Sequence, residues 1–159
     1  MATTTLTGVN TPPAQTWNYL HINSIDLEVP RPSGSGHTAA DALQDIEMGA
    51  GPETSAWIDA AATTDTLRVV KQGDKSSRLD VPLCANAPVS ATDLIVDEGA
   101  TAHVVVSATA DKGTLAHNLR INAAAGARVL IDLVVALGAD ATLIDNVGVS
   151  LAQEASCDI

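Results

Sequence analysis

The sequence predicts an all-β chain, wound either as a β-solenoid or packed as a β-sandwich. Three observations predict it. Seven short apolar segments of strand length follow one another from Thr66 to Leu151, with no room between them for long helices. Glycine–alanine corners recur: Gly99-Ala100-Thr101-Ala102-His103-Val104 is echoed by Gly126-Ala127-Arg128-Val129-Leu130-Ile131 and by Gly138-Ala139-Asp140-Ala141-Thr142-Leu143, at offsets of 27 and 12. Finally, 46 % of residues are hydrophobic but only 2 % aromatic, with no Phe. Such a core is made of Val, Ile, Leu and Ala, which stack in thin layers of strand. A spacing near 25 residues with half-steps suits strands coiling about an axis. Patterning alone leaves the sandwich open.

The elements follow in order. Residues 1 to 37 read as extended or irregular, punctuated by Pro12, Pro13, Pro30 and Pro32, with Ser33-Gly34-Ser35-Gly36 as a flexible linker. Thr38 is placed to cap a short helix over Ala39 to Met48, with Asp41 in a capping-box position and Gly49-Ala50-Gly51-Pro52 ending it. A second short helix opens at Thr54 or Ser55 and runs to Ala61, with Trp57 and Ile58 on its buried side. Thr66 to Val70 is a strand, followed by a turn at Gln72-Gly73-Asp74-Lys75. Arg78 to Cys84 alternates Leu79, Val81 and Leu83. The remaining strands are Asp93 to Val96, Ala102 to Ala108, Leu115 to Ile121, Val129 to Leu137 and Thr142 to Leu151. The organisation is thus an arm with short helices over 1–65 and a single strand-rich unit over 66–159.

Charge and composition exclude several functions. The net charge is −11, which speaks against a nucleic-acid binder, since that needs a positive footprint. No apolar run is long enough for a membrane helix; the nearest, Val129 to Ala139, is broken by Asp132. No Lys or Arg precedes an apolar run at the N-terminus, so no secretory signal is read there and the expected compartment is the cytoplasm. Cys84 and Cys157, 73 positions apart, are then reduced thiols rather than a disulfide.

Candidate chemistry is sparse. Cys84 has no C-x-x-C or Cys/His neighbour and reads as a small core residue. A lone Cys157 cannot hold iron without companions. His103 and His117 would bind a metal only if adjacent coils set them in register; a polar ladder on the outer face is the plainer reading. Asp97-Glu98 reads as a solvated corner, and Gly49-Ala50-Gly51 lacks the lysine of a phosphate loop. Trp17 and Tyr19 pin the arm or anchor a partner. No catalytic, cofactor-binding or metal-ligating residue is assigned, and no enzymatic activity is expected.

Four phrases then carry a family resemblance. They are Pro12-Pro13-Ala14-Gln15-Thr16-Trp17-Asn18-Tyr19-Leu20-His21-Ile22-Asn23, then Ile46-Glu47-Met48-Gly49-Ala50-Gly51-Pro52-Glu53 with Trp57-Ile58, then Leu94 to Ala102, then Leu119 to Ala127. In this order they resemble the SufB/SufD family of iron–sulfur cluster assembly proteins, on the SufD side because cysteine is scarce. The resemblance implies a right-handed parallel β-helix behind a short irregular and helical region. It implies a scaffold working with a SufC-type ATPase and a SufB-type subunit, the cluster being held by the full complex and not by this chain alone. The family's later coils and ATPase-docking helical segment have nothing to match here, so the chain reads as the front part of a longer scaffold. A structural solenoid, or a β-helix enzyme acting on polysaccharide, are the other readings.

One strand also points to a partner. Val129, Ile131, Leu133 and Val135 face one way, while Leu130, Val134 and Ala136 face the other beside Asp132. A strand apolar on both faces is covered on both, and a two-fold homodimer using this strand or the C-terminal edge is expected.

Overall fold

A computed structural model describes residues 2–9, 25–33, 36–74 and 77–159. Eight strands and one α-helix are described: β1 (Thr3–Val9), β2 (Ile25–Pro30), α1 (Pro52–Ala61), β3 (Thr64–Val70), β4 (Arg78–Cys84), β5 (Val89–Val96), β6 (Thr101–Ala123), β7 (Arg128–Leu151) and β8 (Ser156–Asp158). Strands β3 to β8 form one sheet in which every strand pairing is parallel. That excludes an antiparallel sandwich and makes the chain a parallel β-helix, the solenoid expected from the corners.

The long strands β6 and β7 each serve two faces of the coil. Their first halves lie beside β4 and β8, and their second halves continue the β3–β5 face. Thr64 pairs with Ser90, Ser90 with His117 and His117 with Asp145, so successive coils advance by 26, 27 and 28 residues. The 27-residue repeat between Gly99 and Gly126 is one such coil. The likeness of Gly138 to them is not a coil step. Gly138 lies within β7 at the opposite bend, against the Asp111 backbone, where a Cβ would collide.

Four turns stack along one edge: Lys71 to Asp74, Asp97 to Ala100, Ala124 to Ala127 and Ala152 to Ala155. In each, the last N–H donates to the first carbonyl at 3.0 or 3.1 Å. The third residue has positive φ: Gly73 +85°, Gly99 +64°, Gly126 +65° and Glu154 +60°. Glycine takes that conformation without a Cβ penalty, which is why the corner is legible as a glycine repeat. The fourth corner spends a non-glycine residue there and so escapes the pattern.

Inside the coil, Leu94, Val96, Val104, Val106, Leu119, Ile121, Val129 and Ile131 form one cluster with alanines at 102, 108, 123 and 127. Each fully buried Val, Leu or Ile contributes about 1.5–3 kcal/mol. A second cluster lies on the outside of the β5–β6–β7 face. There Leu6, Val9, Val29, Trp57 and Ile58 of the N-terminal region pack on Val89, Ala116 and Ile144. Trp57 Nε1 also donates to the Pro30 carbonyl at 2.9 Å, tying α1 to β2.

The N-terminal region corrects three expectations. Part of the stretch read as extended or irregular is an ordered antiparallel pair, β1 with β2. The helix expected over Ala39 to Met48 is only a 3-10 turn, Asp41–Leu43, with no side-chain cap. Backbone donors at its start and just past its expected end are tied to the solenoid: Ala40 N–H donates to Asp93 Oδ2, Gly49 N–H to the Val147 carbonyl and Ala50 N–H to Asn146 Oδ1. Between these anchors the segment makes only tight turns, with Leu43 N–H on the Ala40 carbonyl and Ile46 N–H on the Leu43 carbonyl. Helix α1 begins at Pro52, two residues before Thr54, because proline suits the first helical position, where an N–H has no partner to lose. Gly34, Ser35 and Lys75, and the arm residues Trp17 and Tyr19, lie outside the described residues.

Candidate functional site

The largest polar cluster is the seam between α1 and the solenoid. On β6, Leu115, Leu119 and Ile121 point inward, so Asn118, Arg120 and Asn122 point out, under the N-terminal region. Arg120 donates to both carboxylate oxygens of Asp59, at 3.1 and 2.6 Å, and to Ser55 Oγ at 3.1 Å. Asn118 donates to Asp59 Oδ1 at 2.7 Å and to the Ser55 carbonyl at 2.9 Å. One coil on, Asn146 donates to Asn118 Oδ1 at 2.8 Å and accepts from Ala50 N–H at 2.8 Å. The three groups on the sheet are each at most 5 % exposed. Buried amides and a buried guanidinium survive because nearly all their bonds are made.

His37 closes the same seam. Its Nδ1 lies 2.8 Å from Asp65 Oδ1, and its Nε2 faces Asp93 Oδ1 at 3.3 Å without hydrogen-bond alignment. Arg120 Nη1 stands 3.9 Å from the same Asp93 oxygen. The backbone around His37 is held by its own N–H, which donates to the Asp59 carbonyl at 2.8 Å.

A second group lies within the coil. His117 Nε2 is 3.1 Å from Thr92 Oγ1 and His117 Nδ1 is 3.1 Å from Asp145 Oδ1. The order hydroxyl–imidazole–carboxylate is that of a nucleophilic triad. Thr92 and His117, however, are 0 % exposed, so no acyl substrate reaches the hydroxyl. The arrangement is a satisfied interior column. It corrects the expectation of an outer-face ladder for His117.

His103 does lie on the outside, on the face left bare by the described N-terminal residues. Its Nε2 is 2.7 Å from Asp132 Oδ2 on the next coil. Nearby, Arg78 bonds Asp80 two residues along β4, at 2.7 and 2.9 Å. This bond raises the Arg78 pKa and lowers that of Asp80. The two histidines are not in register: His103 pairs with Arg78 and Leu130, His117 with Ser90 and Asp145. Among the described residues no group of three or more His, Cys, Asp or Glu is arranged to hold a metal ion.

Cys84 does not take the core place expected of it. Val81 and Leu83 belong to the core, so Cys84 at the end of β4 turns outward and is half-buried, its backbone bonded to Ala87. Cys157 packs against the core cluster from β8, and burial pushes its thiol pKa up, with the Asp158 charge adding to the effect. An open groove of about 760 Å³ runs past Glu47, Gly49, Gly51, Glu53 and Gly148, at the start of α1. Its two carboxylates and missing lysine make it unlike a phosphate cradle. Among the described residues no helix is long and apolar enough to cross a membrane.

Sequence reasoning singled out none of Asp59, Asn118, Arg120, Asn146, Asp93 or His37. The alternation of Asn118, Arg120 and Asn122 with Leu119 and Ile121 carried the signal: a polar face on an otherwise apolar strand. Comparison with protein-family models, with curated proteins and with solved structures finds no match.

Proposed function

We propose that this chain is a non-catalytic assembly scaffold, a SufD-like component of iron–sulfur cluster biogenesis that acts through protein–protein contacts. The observation that carries the reading is where two of its resembling phrases fall. Leu94 to Ala102 and Leu119 to Ala127 each consist of a strand end and a glycine corner, and they stack one coil apart around Gly99 and Gly126. A third phrase, Ile46 to Glu53, runs over the β7 surface into α1. The phrases therefore coincide with structural units of a parallel β-helix and its covering segment, as such a family would require. The cluster itself is cargo of the complex; the partners are a SufB-type subunit and a SufC-type ATPase.

The test is reconstitution. The purified chain is mixed with a SufB-type subunit and a SufC-type ATPase, and complexes are isolated by size. Stable co-elution with the SufB-type subunit is expected. Absence of binding to both overturns the reading in favour of a purely structural solenoid. A polysaccharide-acting β-helix would instead need two free carboxylates across a cleft, and release of reducing ends from soluble glycans would reveal it.

A further inference from the structure

We propose that His37 is a proton-gated latch: its imidazolium form holds the turn from Ala40 to Leu43 on the solenoid, and loss of the proton releases that turn. The proposal stands apart from the cluster-assembly reading. The His37 side chain is 3 % exposed and lies between carboxylates of two neighbouring strands. Its Nδ1 is 2.8 Å from Asp65 Oδ1 on β3, and its Nε2 is 3.3 Å from Asp93 Oδ1 on β5. A neutral imidazole has one N–H and one lone pair. Whichever tautomer it takes, the lone pair then faces a carboxylate oxygen. Only the imidazolium turns an N–H towards both. His37 Nε2 and Asp93 Oδ1 are also the buried side-chain atoms that lack an aligned hydrogen-bond partner among the described residues.

The proton is coupled to the turn through Asp93, whose side chain is 1 % exposed. Asp93 Oδ2 accepts from Ala40 N–H at 2.7 Å and so fixes the start of the 3-10 turn Asp41–Leu43. Asp93 Oδ1 stands between two cations, with His37 Nε2 at 3.3 Å and Arg120 Nη1 at 3.9 Å. The charged groups around the latch are thus Asp65 from β3, Asp93 from β5, Arg120 from β6 and Asp59 from α1, the last bonded to Arg120. With His37 neutral, Arg120 alone among them is cationic, and Asp59 already engages it. A buried carboxylate facing a lone pair is poorly compensated. Asp93 then turns towards Arg120, and Ala40 N–H loses its acceptor. Little else polar holds the turn: Asn122 Nδ2 donates to the Ala42 carbonyl at a long 3.4 Å. His37 N–H stays on the Asp59 carbonyl, which makes that end the hinge. Helix α1 keeps its bonds to Asn118 and Arg120, so the opening is confined to the turn.

Amide hydrogen exchange of the full chain, corrected for the intrinsic rise of exchange with pH, tests this. From about pH 5.5 to about pH 8.5, where histidine titrates, protection of the Ala40 and Leu43 amides should fall more than about tenfold, while β6 amides stay protected. The His37 ring, followed by NMR, should titrate with the same midpoint. His37→Gln should lower protection at these two amides and remove its pH dependence. Asp93→Asn supplies an oxygen for Ala40 N–H and an N–H for the neutral ring, so protection should persist across the range. The wild-type profile decides the matter even if a variant fails to fold. Protection that stays flat while the ring titrates, that rises with pH, or that keeps its pH dependence in His37→Gln would each overturn the proposal.

Discussion

Arg120 and Asp59, 61 positions apart in the chain, meet through two guanidinium–carboxylate bonds beneath α1. The pair is the polar centre of the contact by which the N-terminal region lies on the solenoid. Asp59→Ala leaves a guanidinium with 6 % side-chain exposure, its remaining neutral partner Ser55 Oγ at 3.1 Å and its remaining carboxylate Asp93 at 3.9 Å. Breaking a buried pair on one side costs about 3–5 kcal/mol. Because Asp59 remains 20 % exposed, the lower end is expected, measured by urea unfolding. Hydrogen exchange should rise first in α1, with the β6 amides still protected.

Gly148 tests the same contact sterically. A Cβ there would lie 2.7 Å from the Glu47 carbonyl oxygen and 2.7 Å from Ile46 Cγ2. Gly148→Ala should therefore push residues 46–48 off β7 and cost about 1–3 kcal/mol as overpacking. Gly126→Ala meets nothing within 4 Å and should cost only the positive-φ penalty, about 1–2 kcal/mol. Thermal unfolding of the two variants, with exchange at 46–48 as the local readout, separates the mechanisms.

The buried column gives a prediction about what it does not do. Thr92→Val removes one interior hydrogen bond and should cost about 1 kcal/mol. His117→Ala removes a fully buried ring, leaves Asp145 without that partner and should cost more. Serine-hydrolase probes, which require an accessible hydroxyl, should label neither the wild type nor the variants. Labelling of Thr92 would contradict the closed interior.

Cys157 provides a pH-dependent readout. Burial raises its thiol pKa in the folded state. The folded chain therefore favours the neutral thiol. This stabilising contribution is full below the unfolded thiol pKa and is lost as pH rises through the higher folded value. Alkylation of Cys157 at about pH 8 should be slower than that of free cysteine, because the thiolate is the reacting form. The rate should climb at more alkaline pH than for the free thiol, and mass spectrometry of the Cys157 peptide follows it.

Much of the coil was legible because a β-solenoid repeats its local conditions. The Gly99 and Gly126 corners need positive φ, and Arg78 to Cys84 alternates its side chains as β4 does. The N-terminal region was less legible. Ala39 to Met48 has the local marks of a helix, yet Ala40 near its start and Gly49 and Ala50 just past its end are held by partners more than fifty residues away.

By itself, then, the sequence determined the strand-rich class, the 27-residue step and the apolar strands lining the core, since each rests on residues near one another in the chain. Only the tertiary structure decided that His117 turns inward to Thr92 and Asp145, and that Arg120 meets Asp59. Those relationships arise once coils of 26 to 28 residues are stacked in parallel and a non-repeating segment is laid across them. Winding sets which distant side chains share a column, and no period in the covering segment announces where it docks.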